Sequence, residues 1–379
     1  MCAIGIDGLY KFDLSIGNRS NFLTEDKFIK FILIEDIGLS LPYWELQYNN
    51  VFPELLEYFN EKQPIQVQLG TSVKNLEPID LVIKKPIVVP KSVDSQAITL
   101  RGFNTMISYL ENENISKLDN SDSLSLAKSI ANKYGLTFKS NMSSTKDKMT
   151  YMQPCITDFK YLYTEWLHSN SGLDNDIIIP AITSQYTMTY NSLTKLINEI
   201  DVQKMPTFVD SVPENNEIVA NANTGTESNT TLNNMLGGYV KQRDVYYVNT
   251  GITEHIDVSN TTPIISESKT TSIDESISKS SGFYVQSENV HETYYKQELL
   301  NTQKWFSIQS SKQWISVPDR LIQNVYPGDL VMFMSKKSNG QVNDSVSGMY
   351  LVTKRVISIK DRKVNTNFLL SRENMNYSK

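Results

Sequence analysis

Short segments in which apolar and polar residues alternate lie at both ends of this 379-residue chain. Residues 98–101 read Ile-Thr-Leu-Arg, and residues 363–372 place Val364, Phe368 and Leu370 on one face of a predicted strand. A period of two is typical of β-strands with one buried face. Several such strands at each end of a chain predict a barrel or a sandwich.

Two helical patterns lie between these strand-rich ends. The segment Ser121-Asp122-Ser123 precedes the first pattern and can supply its N-cap, Gly135 follows it as a C′ glycine, and Thr157 caps the second. The apolar residues of the first pattern are Leu124, Ala127, Ile130, Ala131 and Tyr134, and those of the second are Phe159, Leu162, Tyr163, Trp166 and Leu167. This spacing predicts two packed helices in a compact α/β module.

The predicted fold class is mainly β with an α+β insert, formed by two β-barrel domains and a small α/β module. We expect the first barrel in residues 1–115, the module in residues 116–175 and the second barrel in residues 176–379. The second barrel includes a long polar insertion at about residues 210–300, which is rich in Ser, Thr and Asn and is typical of loops. Residues 304–309 are predicted to be a strand that pairs across a hairpin with the strand around Trp314.

Composition narrows the classes of protein that this chain can represent. Its formal net charge is −6, so the chain lacks the excess of basic residues that would indicate sequence-independent nucleic-acid binding. Hydrophobic residues make up 40% of the chain, which is enough to fill more than one core. We expect no signal peptide and no membrane span, because no apolar run is long enough. Cys2 and Cys155 are expected to be free thiols in a reducing compartment.

Catalytic chemistry has little support in the sequence. The three histidines, His168, His255 and His291, are far apart, and no nucleophile elbow, phosphate loop or dinucleotide fingerprint is present. We therefore predict no catalytic residues, no cofactor, no metal and no enzymatic activity. Two alternatives stay open: a tail-associated cell-wall hydrolase, for which paired carboxylates would have to meet in a cleft, and a receptor-binding or adhesin module.

An ordered set of residues through the central module resembles a known family. The positions are Leu100, Gly102, Ile130, Ala131, Tyr134, Gly135, Leu136, Gln153, Asp158, Phe159 and Leu162. Near the C-terminus, Pro327-Gly328-Asp329 is followed by segments at 348–352 and 368–372 that look like the end of the same family's second barrel. The set resembles the late control protein D, VgrG and T-even central hub family of contractile injection machines.

The resemblance implies a structural subunit of a contractile-tail baseplate. Members of this family form a homotrimer in which two tube-forming barrels per chain give a pseudo-hexameric ring that joins the tail tube to the central spike. The implied partners are a tail-tube or tube-initiator protein, other baseplate subunits and a spike protein. We expect the spike to be a separate chain, because the 379 residues contain no spike repeat. DNA would pass through the lumen without specific binding. The implied location is the virion tail baseplate, assembled in the host cytoplasm.

The polar insertion has no counterpart in the resemblance, so its role is open. Tyr239, Tyr246 and Tyr247 are candidate contacts with neighbouring baseplate chains. The alternative is that they are ordinary residues of a local strand, which the β-propensity of tyrosine favours.

Overall fold

Strands supply most of the secondary structure, as the alternating segments predict. The computed structural model describes residues 5–7, 11–16, 19–20, 27–70, 78–91, 96–210, 217–222, 242–257, 264–265, 281–286, 289–309, 311–336, 340–361 and 363–373.

The N-terminal part begins with β1 (Gly5–Asp7), which pairs with residues 320–322 in a separate two-stranded sheet. The strands that follow belong to one antiparallel sheet: β2 (Lys11–Ile16), β3 (Arg19–Ser20), β4 (Phe28–Asp36), β5 (Tyr43–Val51), β6 (Pro64–Gly70), β7 (Ile79–Pro90) and β8 (Gln96–Asn104). A 3-10 helix lies at Pro53–Tyr58. The order across the sheet is β2-β6-β7-β8-β5-β4, and every pair in it is antiparallel. Alternate residues of these strands point into one core, as a period of two requires.

The central module mixes helices with short strands. Its elements are α1 (Ser108–Glu111), β9 (Glu113–Ser121), α2 (Ser123–Lys133), β10 (Thr137–Lys139), β11 (Met149–Thr157), α3 (Asp158–Leu167), β12 (Ile178–Ile182), β13 (Thr187–Ser192) and α4 (Leu193–Glu199). Asp122 accepts a hydrogen bond from the backbone of Ser125, and Thr157 accepts one from the backbone of Lys160, so both predicted N-caps are confirmed.

The C-terminal part completes the sheet. Its elements are a 3-10 helix at Val202–Lys204, β14 (Thr207–Val209), β15 (Ile218–Val219), β16 (Asn221–Ala222), β17 (Gln242–Tyr247), β18 (Ile252–Asp257), β19 (Ser281–Gln286), α5 (Tyr294–Ile308), β20 (Ser311–Val317), β21 (Arg320–Ile322), β22 (Leu330–Met334), β23 (Gly348–Lys360) and β24 (Lys363–Arg372).

The longest strand, β23, belongs to both ends of the chain. It has 13 residues and would span about 43 Å if fully extended. Its first part pairs with β22, and its second part, Lys354 to Lys360, pairs with β4 of the N-terminal sheet. In the pairing of β23 with β24, the register shifts between Val352 and Lys354. This shift marks the point where β23 leaves β22 and begins to pair with β4.

The structure has two barrel-type cores, and residues between 208 and 370 form the second one. Residues after 320 also contribute to the first core. The predicted domain boundaries stay a prediction. Ile357, Ile359 and Val364, from β23 and β24, are buried in the core of the N-terminal sheet together with Leu321 of β21. One long hairpin therefore supplies strands to both cores, because β23 and β24 are too long for a single small barrel.

The second core is enclosed by a ring of strands. β14 pairs with β22 and β15, whereas β16 pairs with β20, which pairs with β24. Only Ala220 separates β15 from β16, and its backbone N–H donates to Val209 O at 2.8 Å. The ring β14-β22-β23-β24-β20 is therefore closed by residues 218–222 around a core that includes Phe208, Phe333 and Phe368.

The polar insertion contains more structure than its composition indicates. β17, β18 and β19 form a three-stranded sheet, with β17 in the centre. Residues 304–309 were predicted to be a strand, which is wrong, because they fall in the last turns of α5 and its C-cap. Trp305 accordingly packs on Trp166 of α3, with ring centroids 4.8 Å apart, and does not pair with the strand of Trp314.

The two central helices pack as their spacing predicts. Leu124, Ile130, Leu162 and Trp166 are buried in one cluster, and Phe159 is partly buried against it. The Trp166 side chain is fully buried, and its Nε1 donates a hydrogen bond to the carbonyl oxygen of Ile178 at 2.8 Å.

Replacing Trp166 with Ala should destabilise the protein by about 3–5 kcal/mol, because a large cavity and an unpaired buried carbonyl remain. Chemical denaturation followed by circular dichroism would measure the loss. The matched control is Val202→Ala, since Val202 is 56% exposed and its truncation should cost less than about 0.5 kcal/mol. Equal effects of the two substitutions would contradict the packing described here.

Candidate assembly surfaces and their framework

A buried ion pair joins the two barrel-type cores. Arg355 of β23 lies directly opposite Glu35 of β4, and the two side chains are 3% and 1% exposed. Arg355 Nε donates to one carboxylate oxygen of Glu35, and the backbone N–H of Ser184 donates to the other at 2.7 Å. The guanidinium also donates to the carbonyl oxygens of Ile322 and Val325. The pair thus connects both cores and the turn of the α/β module.

The Pro-Gly-Asp turn noted in the sequence lies beside this pair. Gly328 has a φ of +95°, and its N–H donates to Val352 O at 2.8 Å, while Val352 N–H donates to Asp329 O at 2.9 Å. Asp329 accepts a hydrogen bond from the backbone of Tyr326, whose ring centroid lies 4.0 Å from the guanidinium carbon of Arg355. Burial raises the pKa of Asp329 to about 6. The turn therefore belongs to the junction between the cores.

A second buried polar network holds α2 and α3 together. Asp158 accepts hydrogen bonds from Lys133 Nζ at 2.6 Å, Tyr134 Oη at 2.5 Å and Gln153 Nε2 at 2.8 Å. Gln153 Oε1 in turn accepts one from Ser116. Burial alone would raise the pKa of Asp158, but the hydrogen bonds from its three partners hold that pKa below its ordinary value. Three positions of the sequence resemblance thus meet in one network.

The other positions of the resemblance also have structural explanations. A Cβ at Gly102 would lie 1.8 Å from a carbonyl oxygen of β7, so the close approach of β7 and β8 requires glycine. Gly135 has a φ of +67°, which suits a helix C′ residue. Ile130 and Leu162 are buried, and Phe159 packs against the same cluster. The geometry gives these residues a role in folding.

The predicted tyrosine contacts divide between two environments. Tyr247 faces α5, packs at the edge of a small apolar cluster and donates a hydrogen bond from its hydroxyl to Glu254 at 2.7 Å. Tyr246 lies on the opposite face of β17, where it pairs with Val285. Tyr239 lies outside the described residues. Of the three, Tyr246 is the residue that the structure places on an outward surface, and its contact with another chain stays a prediction.

Two exposed apolar surfaces stand out among the described residues. The first, the ribbon face, lies on the two-stranded ribbon of β9 and β11 and consists of Ile115, Met152 and Pro154, with Ile115 82% exposed. The second, the outer sheet face, lies on the three-stranded sheet and consists of Tyr246, Phe283 and Val285. Phe283 and Val285 are 66% and 52% exposed. Exposed apolar groups of this kind indicate contact surfaces.

The position of the outer sheet face depends on α5, which sequence reasoning missed. Asn301 donates hydrogen bonds from its side-chain amide to the carbonyl oxygens of Leu167 and Ser169, at 2.9 and 2.8 Å. Tyr294 stacks on His168 with ring centroids 3.6 Å apart. Leu299, on the other side of α5, is buried beneath the sheet. These apolar and aromatic positions recur at helical spacing, which was the signal available in the sequence.

The described part of the chain contains no group of three or more His, Cys, Asp or Glu side chains that could hold a metal ion. Its histidines make local contacts: His255 Nδ1 lies 2.6 Å from Asp244, and His168 Nδ1 lies 2.8 Å from the carbonyl oxygen of Thr164. Across those same residues, no helix combines the length and the apolar character that a membrane crossing needs.

The whole architecture is similar to that of solved tail proteins. The tail protein of Neisseria meningitidis MC58 superposes with a TM-score of 0.58 at 10% identity, over 96% of each chain. The 43 kDa tail protein of prophage MuSo2 from Shewanella oneidensis gives 0.58 at 9% identity, over 96% of this chain and 98% of that one. No protein-family model and no curated protein matches the sequence. At these identities the similarity establishes a shared fold.

Glu35→Ala should destabilise the protein by about 3–5 kcal/mol, because it leaves the Arg355 guanidinium buried without a counter-ion. The double variant Glu35→Leu/Arg355→Met should cost much less, since it buries no charge at all. Urea denaturation of the wild type, Glu35→Leu, Arg355→Met and the double variant would measure the coupling. Additive losses in the double variant would show that the two side chains do not act as a pair.

Glu165 should make stability depend on pH. Burial raises the pKa of this carboxyl group to about 7, against an ordinary value of 4.5. The folded state therefore binds the proton more tightly than the unfolded state. The resulting contribution to the free energy of unfolding is fully present below pH 4.5 and is lost as the pH rises to about 7. Burial lowers the pKa of the nearby His291, so His291 changes the stability in the opposite direction as the pH rises.

The measurement is the difference in unfolding free energy between the wild type and Glu165→Gln from pH 4.5 to 7.5. The other titrating groups are the same in both proteins, so their contributions cancel in this difference. What remains is the contribution of Glu165. We expect the wild type to lose stability relative to the variant as the pH rises. A constant difference across this range would show that Glu165 ionises normally.

Proposed function

We propose that this protein is a structural subunit of a phage-type contractile tail, and that it serves as the baseplate hub. In this proposal three copies associate into a ring, and the two barrels of each copy supply six positions. Such a ring matches a six-fold tail tube on one side and a three-fold spike on the other. Its partners would be a tail-tube or tube-initiator protein, a spike protein and other baseplate subunits.

The observation that carries the proposal is the pair of barrel-type cores on one continuous sheet. The sheet runs from β2 through β4 into β23, and the Glu35–Arg355 pair lies at the junction. A protein with two fixed barrels can occupy two adjacent positions of a ring. The full-length similarity in fold to two tail proteins supports the same conclusion.

The use of charged side chains also favours a structural role over catalysis. The buried carboxylates of Glu35 and Asp158 are both taken up by cations and hydrogen-bond donors that join elements of the fold. Asp147 accepts hydrogen bonds from Ser123, Thr145 and the backbone of Asn170. These three buried carboxylates are thus engaged in holding elements of the fold together, which supports a structural role for them.

The localisation follows from the same proposal. A subunit of this kind would be assembled in the host cytoplasm and would remain in the virion as part of the tail baseplate. DNA would pass through the central channel without specific contacts, which agrees with a net charge of −6.

Mass photometry of the full-length protein at micromolar concentration should show a trimer of about 130 kDa, since one chain has a mass of 43.2 kDa. Cryo-electron microscopy of the trimer should show six barrels around a channel. A stable monomer that does not trimerise even with its spike, or a ring of six chains, would contradict the proposal.

The same preparation separates the two alternatives. Turnover of peptidoglycan that disappears on replacing one carboxylate would favour a hydrolase. A monomer that binds cell-surface glycans would favour a receptor-binding module. We expect neither result.

A further inference from the structure

Three lysines lie directly opposite one another on neighbouring strands of the continuous sheet. Lys363 of β24 is paired with Lys360 of β23, and Lys360 is paired with Lys30 of β4. In each strand the residue next to the lysine is buried in the core of the N-terminal sheet, so all three lysines point to the outer face. Like charges directly opposite one another destabilise a sheet. The stability of the fold therefore does not explain this row.

Two more cations lie on the same face, on the other side of β5. Arg101 of β8 lies opposite Glu45 of β5 and, across its other edge, opposite Lys85 of β7. The Glu45 carboxylate is shared between Lys30 Nζ at 2.9 Å and Arg101 Nε at 2.7 Å. Because neighbouring strands are about 4.8 Å apart, the cations extend about 24 Å from β24 to β7. The five basic residues, Lys30, Lys85, Arg101, Lys360 and Lys363, are termed the basic face.

The basic face keeps a positive charge when the carboxylates around it are counted. Glu45 lies among the five cations, and two more carboxylates belong to adjoining turns: Asp319, which lies 3.8 Å from Lys363, and Asp361 of the hairpin turn. Five cations and three carboxylates leave a net charge of +2, on a chain whose formal net charge is −6. The charge of the whole chain therefore conceals a local field of the opposite sign.

The lysines at the two ends of the basic face are available to an anion from outside the chain. Among the described residues, Lys85 and Lys360 make no ion pair, and both side chains are exposed. The side chains of Lys363 and Asp319 are 68% and 62% exposed, so their contact is weak and can be exchanged for another anion.

The uncharged polar positions beside these cations suit phosphate oxygens. Gln47 and Thr99 continue the row of the three lysines across β5 and β8. Ser358 and Asn365 lie side by side in the next row, on β23 and β24. Amide and hydroxyl side chains of these types donate hydrogen bonds to the phosphates of nucleic acids.

A protein partner fits the basic face less well than a nucleic acid does. The apolar residues in the same two rows, Ile32 and Ile87, are partly buried between their neighbours. Protein interfaces are usually centred on exposed aromatic or aliphatic anchors, whereas surfaces that bind nucleic acid are polar and basic. A length of about 24 Å also exceeds that of a single small anion and suits a linear polyanion.

We infer that the basic face binds the phosphate backbone of duplex DNA, independently of base sequence. In such binding, lysine and arginine neutralise phosphates and release counterions. The choice of DNA over another linear polyanion rests on the proposed function, in which DNA passes through the tail. Phosphate contacts carry no sequence information. The inference therefore agrees with passage of DNA without specific binding, and it adds the residues that the DNA meets.

Fluorescence anisotropy of the full-length protein with two labelled duplexes of unrelated sequence tests the inference. We expect the two affinities to agree within about twofold for duplexes of about 20 base pairs. Each phosphate contact contributes about −0.9 to the slope of log K against log salt concentration, so contacts by the three lysines of the row should weaken binding about 40-fold from about 50 to about 200 mM NaCl.

The double variant Lys360→Gln/Lys363→Gln removes two of these contacts. Its salt slope should be shallower by about 1.8, and its affinity at about 50 mM NaCl should fall at least about tenfold. The matched control is Lys117→Gln/Lys204→Gln, which removes the same charge from two exposed lysines on other elements of the fold. The control should keep the wild-type affinity within about twofold.

The variant Lys360→Glu separates DNA binding from folding. A carboxylate at this position lies opposite Lys30 and Lys363, so the variant should melt at a higher temperature than the wild type in low salt. Its affinity for DNA should nevertheless fall at least about tenfold. A melting temperature that falls together with the affinity would overturn the inference, because the row would then serve the fold.

The outcomes separate this inference from the proposed function. A trimer that binds no DNA at about 50 mM NaCl would overturn the inference and leave the proposed trimer intact. A monomer whose DNA binding responds to these variants would overturn the trimer and support the basic face. Equal losses in the two double variants would assign the binding to overall charge. Competition by polyglutamate as strong as that by unlabelled duplex would assign the face to an acidic polypeptide, and either of these two results would overturn the inference.

Discussion

The buried pair of Glu35 and Arg355 is the constraint on which the architecture depends. Each charge is removed from water, and each is tolerable only because the other lies directly opposite it across β4 and β23. A slip of one residue would separate the pair and turn the side chains of β23 to the other face. The pair therefore fixes the register at which the two barrel-type cores share a sheet.

Local patterns predicted the elements of the fold better than their pairing. The N-caps at Asp122 and Thr157 and the alternating strands could be identified because their signals lie within a few residues. The pairing of Glu35 with Arg355 joins positions 320 residues apart, and alternation carries no information about a partner strand. For residues 304–309, the hairpin-like placement of Trp305 and Trp314 indicated a strand, but the docking of α5 on α3 overrides it.

The candidate surfaces were predictable only in part, for a related reason. Tyr246 was found because an aromatic residue in a polar segment is conspicuous. Ile115 and Met152 were missed, since β9 reads Glu-Asn-Ile-Ser-Lys-Leu-Asp-Asn-Ser and has too few apolar residues to predict a strand. Exposure depends on the tertiary packing of α5 and the ribbon, so a sequence pattern cannot show which apolar residue stays outside.

Rigidity between the two cores has a consequence for assembly. A heterologous contact closes into a ring only if each copy turns the next by a fixed angle, and otherwise it continues as an open helix. If a flexible linker joined the barrels, that angle would vary between copies. The shared hairpin of β23 and β24 and the buried Glu35–Arg355 pair leave no such linker at the junction. The buried charges of Glu35 and Arg355 thus fix the angle between the two cores, and this angle determines how the surfaces of neighbouring copies can meet.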